Sequence, residues 1–306
     1  MTAAIVDAAR RQLGDLVSAR RATFGRRRPQ IVVGLLGRGI QASKTPRMHE
    51  LEGSRIGLGY GYVLIDFDAL GLGDEHLGEM LRAAEALGFA GCNVTHPFKQ
   101  SILPLLDDLA PEAAAIGAVN TVVFAGGRRT GHNTDCWGFA ESFREGLAGV
   151  SLASVVQFGA GGAGAAVAHA LLSLGAERLT ICETELDRAE RLAARLGERF
   201  GVPVEATANP DPALATASGL VNTTPVGMEK YPGLPFDGAL LRPSHWVAEI
   251  IYFPPETALL QAARSLGCRT LAGTGMAVYQ AVKAFELFTG IEPDRAAMTA
   301  HFRAAA

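Results

Sequence analysis

Short apolar runs alternate with segments of helical periodicity along most of this chain. In the first half the alternation predicts strands at 31–36, 60–65, 89–94 and 118–124, and helices near 46–58, 76–87, 100–106 and 136–146. The Gly126-Gly127 pair is typical of a hairpin turn, which would bring the chain back toward Asn133. Strands that alternate with helices indicate an α/β fold with a mainly parallel sheet.

A second alternation begins near residue 154. It predicts strands at 155–158, 179–182, 201–206, 219–222, 246–252 and 269–271, and helices ending at 174 and spanning 188–200 and 257–266. This succession is typical of a doubly wound, Rossmann-type sheet. Helices at 276–290 and 293–302 follow the last strand. We therefore predict domains at 30–136 and 137–275, with a helical or flexible extension at 1–29 and C-terminal helices at 276–306.

The composition supports two globular domains and excludes some classes of binding partner. The chain has 306 residues, which is long for one core, and 48% of them are hydrophobic while 19% are charged. The net charge of −3 argues against nucleic acid, because phosphate binding needs a concentrated basic face. No apolar run approaches the roughly 20 residues of a membrane helix. A small-molecule partner fits these properties best.

The cysteines and the N-terminal segment indicate where in the cell the protein is expected. The chain has four cysteines that lie far apart without paired spacing, namely Cys92, Cys136, Cys182 and Cys268. We therefore expect neither a zinc site nor a disulfide framework. Unpaired cysteines are typical of the reducing cytoplasm, where we expect this protein. The arginine-rich segment 1–29 lacks the apolar core of a secretory signal. Asp7 and Asp15 argue against a transit peptide and favour a solvated amphipathic helix.

A glycine loop marks the expected cofactor site. The run Gly159-Ala160-Gly161-Gly162-Ala163-Gly164 satisfies G-x-G-x-x-G between a predicted strand and a helix, and Glu183 ends the next strand about 20 positions later. Glycines let the backbone approach a pyrophosphate, the helix N-terminus supplies N–H donors, and the carboxylate accepts from ribose hydroxyls. A ligand-free strand-to-helix turn is the structural alternative. The combination favours a dinucleotide site.

Glu183 also favours NAD over NADP. A carboxylate beside the adenosine ribose accepts from a free 2′-hydroxyl and repels a 2′-phosphate. Arg188 lies near enough in sequence to contact such a phosphate. Alternatively, Arg188 is an exposed cation on the surface of a helix.

Three polar segments end short apolar runs and are candidates for substrate handling. The first is Asn93-Val94-Thr95-His96-Pro97-Phe98-Lys99, and the others end at Asn120-Thr121 and at Thr134-Asp135. Loops at strand ends commonly carry the chemistry of α/β proteins. Each residue also has a structural interpretation: Lys99 as a surface charge, Asn93 and Thr95 as turn formers, and Asp135 as a helix cap.

These residues belong to eight ordered motifs through which the chain resembles the shikimate and quinate dehydrogenases over residues 30 to 303. The motifs are Ser43-Lys44-Thr45-Pro46 with His49, Asn93 to Lys99, Ala118 to Thr121, Asn133-Thr134-Asp135 with Gly138, the glycine loop, Asn222 to Met228, Tyr252 with Pro255 and Thr257, and Gly275-Met276 with Gln280. The resemblance implies an N-terminal substrate domain to which the last helices return, and a nicotinamide-binding domain.

The resemblance also implies roles for individual residues. Lys99 and Asp135 would be the catalytic pair, and Ser43 and Thr45 would meet the substrate carboxylate. Ligands of the ring hydroxyls would be Asn93, Thr95, Asn120 and Gln280, with Tyr252 near both substrate and cofactor. The cofactor-binding residues would be Gly159, Ala160, Gly161, Gly162, Ala163, Glu183, Thr184, Arg188, Thr223, Pro225, Val226, Ile250, Gly273 and Met276.

Two positions depart from the NADP-dependent biosynthetic members. Cys182-Glu183-Thr184 stands where those usually have Asn-Arg-Thr, and Ser43-Lys44-Thr45-Pro46 stands where they commonly have Ser-x-Ser-Pro. Both are similar to the NAD-dependent quinate/shikimate branch. The difference at Thr45 is weaker evidence for the quinate/shikimate branch, because one methyl group discriminates between two substrates by only about 1–3 kcal/mol.

We therefore predict NAD-dependent oxidation of a ring hydroxyl of a hydroaromatic acid, quinate or shikimate, without a metal. Lysine is ordinarily charged at neutral pH, so Lys99 could act as a base or could stabilise an alkoxide electrostatically. Alternatives are reduction of 3-dehydroshikimate with NADPH, an aminoshikimate or other cyclitol dehydrogenase, and a dinucleotide sensor without turnover. A homodimer is one arrangement that the sequence leaves open.

Overall fold

The computed structural model describes residues 2–27 and 30–304, and the chain divides into two compact units. The first unit comprises Met1–Thr134 and Ala281–Ala306, and the second comprises Asp135–Gln280. The expected terminal segments, 1–29 and 276–306, include five positions outside the described residues: Met1, Arg28, Pro29, Ala305 and Ala306.

The first unit contains a six-stranded mixed sheet flanked by helices. In chain order its elements are α1 Thr2–Ala22, β1 Gln30–Gly37, α2 Thr45–Arg55, β2 Gly59–Asp66, α3 Leu77–Ala86, β3 Gly91–Val94, β4 Asp108–Leu109, α4 Pro111–Ile116, β5 Thr121–Ala125 and β6 Arg128–His132. The strand order is β2-β1-β3-β5-β6-β4. The pairs β1–β2, β1–β3 and β4–β6 are parallel, while β3–β5 and β5–β6 are antiparallel.

One predicted helix of this unit, 100–106, is wrong. The segment consists of turns and a short 3₁₀ helix at Leu103–Leu105. Pro104 explains the difference, because it has no N–H to donate and its ring would clash with the carbonyl of Gln100 in an α-helix. The predicted strand at 118–124 begins later, at Thr121, and the short elements β4 and α4 were not predicted.

The arginine-rich N-terminal segment is part of the first unit rather than a loose extension. Residues Val6, Leu13 and Val17 of α1 are buried along one helical face and join the core with Phe24. A Cβ at Gly59 or Gly61 would lie 2.9 Å from the Phe24 ring system or its Cβ, so glycine lets this region approach β2 closely. Burial of each such side chain contributes about 1.5–3 kcal/mol.

The second unit is a doubly wound sheet in which all strand pairs are parallel. Its elements are α5 Thr134–Gly146, β7 Val155–Phe158, α6 Gly162–Ser173, β8 Leu179–Cys182, α7 Leu186–Phe200, β9 Val204–Thr207, α8 Asp211–Leu214, β10 Gly219–Asn222, β11 Trp246–Glu249, α9 Ala258–Ser265, β12 Arg269–Leu271 and α10 Thr274–Thr289. The strand order β12-β11-β10-β7-β8-β9 is the Rossmann order, so the predicted fold class is confirmed.

The strand predicted at 246–252 ends early, at Glu249. The reason is local: the backbone N–H of Ile251 donates to the Glu249 side chain at 3.1 Å instead of continuing the sheet. Helix α10 runs on into the first unit, where α11 Arg295–Ala304 follows it, and the Asp294 N–H donates to Glu52 of α2 at 2.9 Å. Nowhere in 2–27 or 30–304 is a helix both long and apolar enough to cross a bilayer.

Candidate active site

In the first unit, the predicted substrate residues gather at one edge of the sheet. Gly37 at the end of β1 pairs with Asp66 at the end of β2, and Leu36 pairs with Val94 at the end of β3. Because these strands are parallel, the loops that follow them share this edge. The antiparallel hairpin β5–β6 begins and ends there too, since the Val94 N–H donates to the carbonyl of Asn120 at 2.7 Å.

The backbone around Lys99 is held at both sides. Phe98 is buried and its ring lies 4.5 Å from that of Phe67. The Lys99 carbonyl accepts from the Val119 N–H at 2.8 Å, directly before Asn120. The Lys99 side chain is partly exposed. The structure therefore places the loop that carries Lys99 directly beside the loop that carries Asn120.

Asn93 and Asn120 belong to one buried hydrogen-bond network. The Asn93 amide nitrogen donates to the Thr121 hydroxyl at 2.9 Å, and the Asn120 amide nitrogen donates to the Thr134 hydroxyl at 2.9 Å. The Thr134 N–H donates back to the Asn120 side-chain oxygen at 2.7 Å. Thr95 follows this network, with its N–H donating to Leu36 at 2.9 Å. The network fixes the orientation of both amides at this edge of the sheet.

The loop that carries Ser43 and Thr45 is organised by Asp66, a residue that the sequence reading did not single out. Burial opposes ionisation of Asp66, but hydrogen bonds from Gln41 and three backbone N–H groups lower its pKa; those N–H groups belong to Asp68, Ile40 and Gly39. Ser43 and Thr45 then lie at the start of α2, both partly exposed, with the Thr45 N–H 3.4 Å from the Ser43 hydroxyl. An aspartate directly after the predicted strand 60–65 was the sequence signal that could have identified Asp66.

In the second unit, the predicted cofactor residues also share a sheet edge. Phe158, Cys182, Asn222 and Glu249 are the last residues of four strands that lie in register. The glycine loop, Glu183, Thr223 and Ile250 follow these four residues directly. Gly273 lies there as well, because a Cβ at this position would lie 2.3 Å from the Ile250 carbonyl oxygen.

The glycine loop needs glycine for physical reasons. Gly159 has φ +99°, a region that favours glycine, and a Cβ at Gly164 would lie 2.5 Å from the Gly159 oxygen. Gln157 supports this turn by donating to the carbonyls of Gly159 and Gly164, both at 2.9 Å. Gln157 is fully buried and was missed, although a glutamine inside the apolar run 155–158 could have indicated it.

Glu183 is fixed against this loop. Its carboxylate accepts from the Ala160 N–H at 2.9 Å and from the Thr184 N–H at 2.8 Å, and Arg188 lies 3.3 Å away. Burial works against ionisation, yet the hydrogen bonds and Arg188 lower the pKa of Glu183. Glu183 therefore presents a negative charge at the end of β8. The same contact explains Arg188, which pairs with Glu183 and also with Glu185 at 3.4 Å.

These residues fit a dinucleotide. Helix α6 begins after Gly161 with no acidic residue in its first turn, so its unpaired N–H groups and positive end can receive a pyrophosphate. Nothing lies within 4 Å of a Cβ placed at Gly161, which leaves space beside the turn. Val226, Pro225 and Thr223 follow β10 next to the loop, and the Thr223 hydroxyl donates to Phe158 at 2.6 Å.

The remaining predicted residues of the second unit lie on α5, on α10 and after β11. A Cβ at Gly138 would lie 2.6 Å from the Gln280 nitrogen and 3.0 Å from the Met276 oxygen, so the two helices touch one turn after Asp135. Asp135 is buried in the first turn of α5. Tyr252 is 44% exposed, and loss of solvent together with the negative charge of Asp135 raises its pKa. The charge of Asp135 therefore acts on Tyr252.

Comparison with known proteins identifies the family. Residues 35–122 match the shikimate dehydrogenase substrate binding domain, and residues 273–301 match the shikimate 5′-dehydrogenase C-terminal domain. A shikimate dehydrogenase (NADP⁺) of Streptomyces avermitilis is 56% identical over 272 residues, covering 88% of this chain and 94% of that protein. The chain belongs to the shikimate dehydrogenase family. A quinate/shikimate dehydrogenase (NAD⁺) of Corynebacterium glutamicum is 48% identical over 277 residues, covering 89% and 98%.

Solved structures of the family agree. Quinate dehydrogenase from Corynebacterium glutamicum in complex with NAD superposes with a TM-score of 0.85 at 46% identity, covering 90% of this chain and 99% of that one. The resemblance read from the motifs is therefore confirmed, as is the expectation of an NAD(P)-dependent oxidoreductase that acts on CH–OH groups. Relatives named for NADP and for NAD both occur, and the roles of individual site residues stay predictions.

Proposed function

We propose that this protein is an NAD-dependent dehydrogenase that oxidises a ring hydroxyl of quinate or shikimate to the ketone. The observation that carries the choice of NAD is the ionised Glu183 carboxylate, held by Ala160 and Thr184 at the end of β8. A ribose with free hydroxyls can donate to it, whereas a 2′-phosphate would face a negative charge.

The polar edge of the first unit suits a hydroaromatic acid. In this proposal the hydroxyls of Ser43 and Thr45 bind the carboxylate at the start of α2. Asn93, Thr95 and Asn120, with Gln280 from α10, meet the ring hydroxyls. The Thr45 methyl group favours acceptance of quinate, by about 1–3 kcal/mol at most.

The chain's own residues handle the proton. A bound nicotinamide would supply the hydride acceptor. The ammonium of Lys99 stabilises negative charge that develops on the reacting oxygen, and Asp135 receives the hydroxyl proton directly or through water. Tyr252 is neutral at physiological pH, as tyrosines ordinarily are, and its raised pKa extends this neutral state to higher pH. In this proposal its hydroxyl can therefore donate a hydrogen bond to a ligand.

A second candidate is the biosynthetic direction, reduction of 3-dehydroshikimate with NADPH. The Streptomyces relative named for NADP favours it, and Arg188 offers a cation near the cofactor edge. The Arg188 guanidinium, however, is already paired with Glu183 and Glu185.

Initial rates with quinate and shikimate, each against NAD and NADP, test the proposal. We expect the largest kcat/KM with NAD and one of the two acids. A clear preference for NADP would transfer support to the second candidate. No turnover in any combination, with protein that binds NADH, would indicate a sensor.

We also propose a cytoplasmic location. None of the four cysteines, all of which lie in the described part of the chain, forms a disulfide, and all four are buried. Unoxidised thiols are typical of reducing compartments. Fractionation of the source cells tests this, and recovery among secreted proteins would contradict it.

A further inference from the structure

Tyr62 is a buried residue of β2 that no family motif named above contains. Its side chain is fully buried, and its hydroxyl donates to the Asn93 side-chain oxygen at 2.8 Å. Burial, with a smaller contribution from Cys92, raises the pKa of Tyr62 well above its usual range. The hydroxyl therefore stays protonated, and its proton is directed at the Asn93 oxygen.

The other contacts of Asn93 favour one orientation of its amide. Its nitrogen donates to the Thr121 hydroxyl at 2.9 Å and approaches the Asn120 carbonyl at 3.4 Å. An amide nitrogen has two hydrogens, so both are directed at protein groups. Its oxygen accepts from Tyr62 and retains a second lone pair.

We propose that Tyr62 is a positioning residue that turns Asn93 into a hydrogen-bond acceptor for a substrate hydroxyl. The inference rests on the function proposed above, because it takes Asn93 to be a ligand of the ring. Reversing the amide would set its oxygen against the Asn120 carbonyl oxygen, which can only accept, and would break the bond that the Tyr62 hydroxyl donates. The substrate must then present a donor at this position, which a hydroxyl does and a keto or ether oxygen does not.

Removal of the hydroxyl should weaken this selection. In a Tyr62→Phe variant the buried Asn93 oxygen loses its protein partner, so the amide is held on its nitrogen side only and can turn away from the substrate position. Loss of an oriented hydrogen bond to substrate corresponds to about a tenfold change in affinity. The cofactor residues of the second unit keep all their contacts.

Tyr60 offers a matched control on the same strand. It is also buried, two positions before Tyr62, and its hydroxyl lies 3.0 Å from the His49 ring nitrogen Nδ1 instead of an active-site amide. Tyr60→Phe therefore removes an equivalent buried hydroxyl. A purely structural role of Tyr62 would make the two variants behave alike.

The test measures KM for the hydroaromatic acid, KM for NAD and kcat in both variants. We expect Tyr62→Phe to raise KM for the acid about tenfold, with KM for NAD within about twofold of wild type. Tyr60→Phe should leave both within about twofold. Equal changes in the two variants, or an unchanged KM in Tyr62→Phe, would overturn the inference.

A second measurement asks whether Tyr62 acts through Asn93. In an Asn93→Ala background, adding Tyr62→Phe should leave KM for the acid unchanged, since the amide to be oriented is gone. An additional tenfold rise would contradict the inference. Circular dichroism establishes that each variant is folded.

Failure of the proposed function gives a different result. Wild-type protein would then turn over neither acid, and shikimate binding would be measured by calorimetry instead. Binding weakened in Tyr62→Phe but not in Tyr60→Phe would support the inference without turnover. A wild type that binds no shikimate would overturn the inference together with the function.

Discussion

The Asn222 side-chain nitrogen donates to both oxygens of the Glu249 carboxylate, at 3.2 and 3.0 Å. Asn222 also donates to the Val226 carbonyl at 2.8 Å, and Glu249 accepts from the Thr257 hydroxyl at 3.2 Å. One buried carboxylate therefore ties together the two loops that follow β10 and β11. Burial raises the pKa of Glu249 from 4.5 to about 7, against which the hydrogen bonds work only partly.

The first prediction concerns stability against pH in the second unit. Because the folded state holds the Glu249 proton more tightly, its stabilising contribution is complete below pH 4.5 and is lost as pH rises to about 7. Relative to Glu249→Gln, the free energy of unfolding of wild type should fall over that range by an amount on the order of 3 kcal/mol. Both tryptophans of the chain, Trp137 and Trp246, lie in this unit, so fluorescence during urea titration reports it.

The control is Glu190→Gln, which neutralises an exposed glutamate of α7. Its difference from wild type should stay nearly constant with pH. A Glu249→Gln variant whose difference from wild type is also constant from pH 4.5 to 7 would contradict the buried-carboxylate interpretation.

Cofactor choice should depend on Glu183. Glu183→Gln removes the charge that repels a 2′-phosphate and releases Arg188 from one ion pair. We expect kcat/KM for NADP to rise at least about tenfold relative to that for NAD, measured with saturating acid.

Two further variants test whether the charge of Glu183, and not a change in the fold, causes this change in cofactor preference. Glu185→Gln removes the other ion pair of Arg188 without touching the glycine loop and should leave the cofactor ratio near wild type. Adding Arg188→Ala to Glu183→Gln should cancel the gain with NADP. An unchanged ratio in Glu183→Gln would show that Glu183 does not select the cofactor.

Lys99 and Asp135 should act as one catalytic unit. Each alanine variant should lower kcat by about 10²–10⁴, because each removes part of the same proton-handling step. The double variant should be no slower than the slower single variant. NADH binding, followed by its fluorescence, should remain close to wild type in all three.

Two results would count against the pair. Turnover of Lys99→Ala within a few-fold of wild type would remove Lys99 from the chemistry. Multiplicative losses in the double variant would mean that the two residues contribute independently.

Several features were available from local sequence. The alternation of short apolar runs with helical periods predicted most elements, and the G-x-G-x-x-G run predicted the turn between β7 and α6. Such features need few residues: a period of two or 3.6, or a turn that only glycine can make. The helix at 100–106 failed because the apolar run outweighed one proline.

The sequence by itself determined the order of most elements, the family and the types of polar residue placed at strand ends. The tertiary structure alone decided which of those side chains meet. Tyr62 and Asn93 are 31 positions apart, and Asn222 and Glu249 are 27 apart, so their hydrogen bonds exist only after strand register brings them together. Periodicity identifies the buried face of a strand, but the direction and the pKa of a buried polar group depend on its neighbours across the sheet.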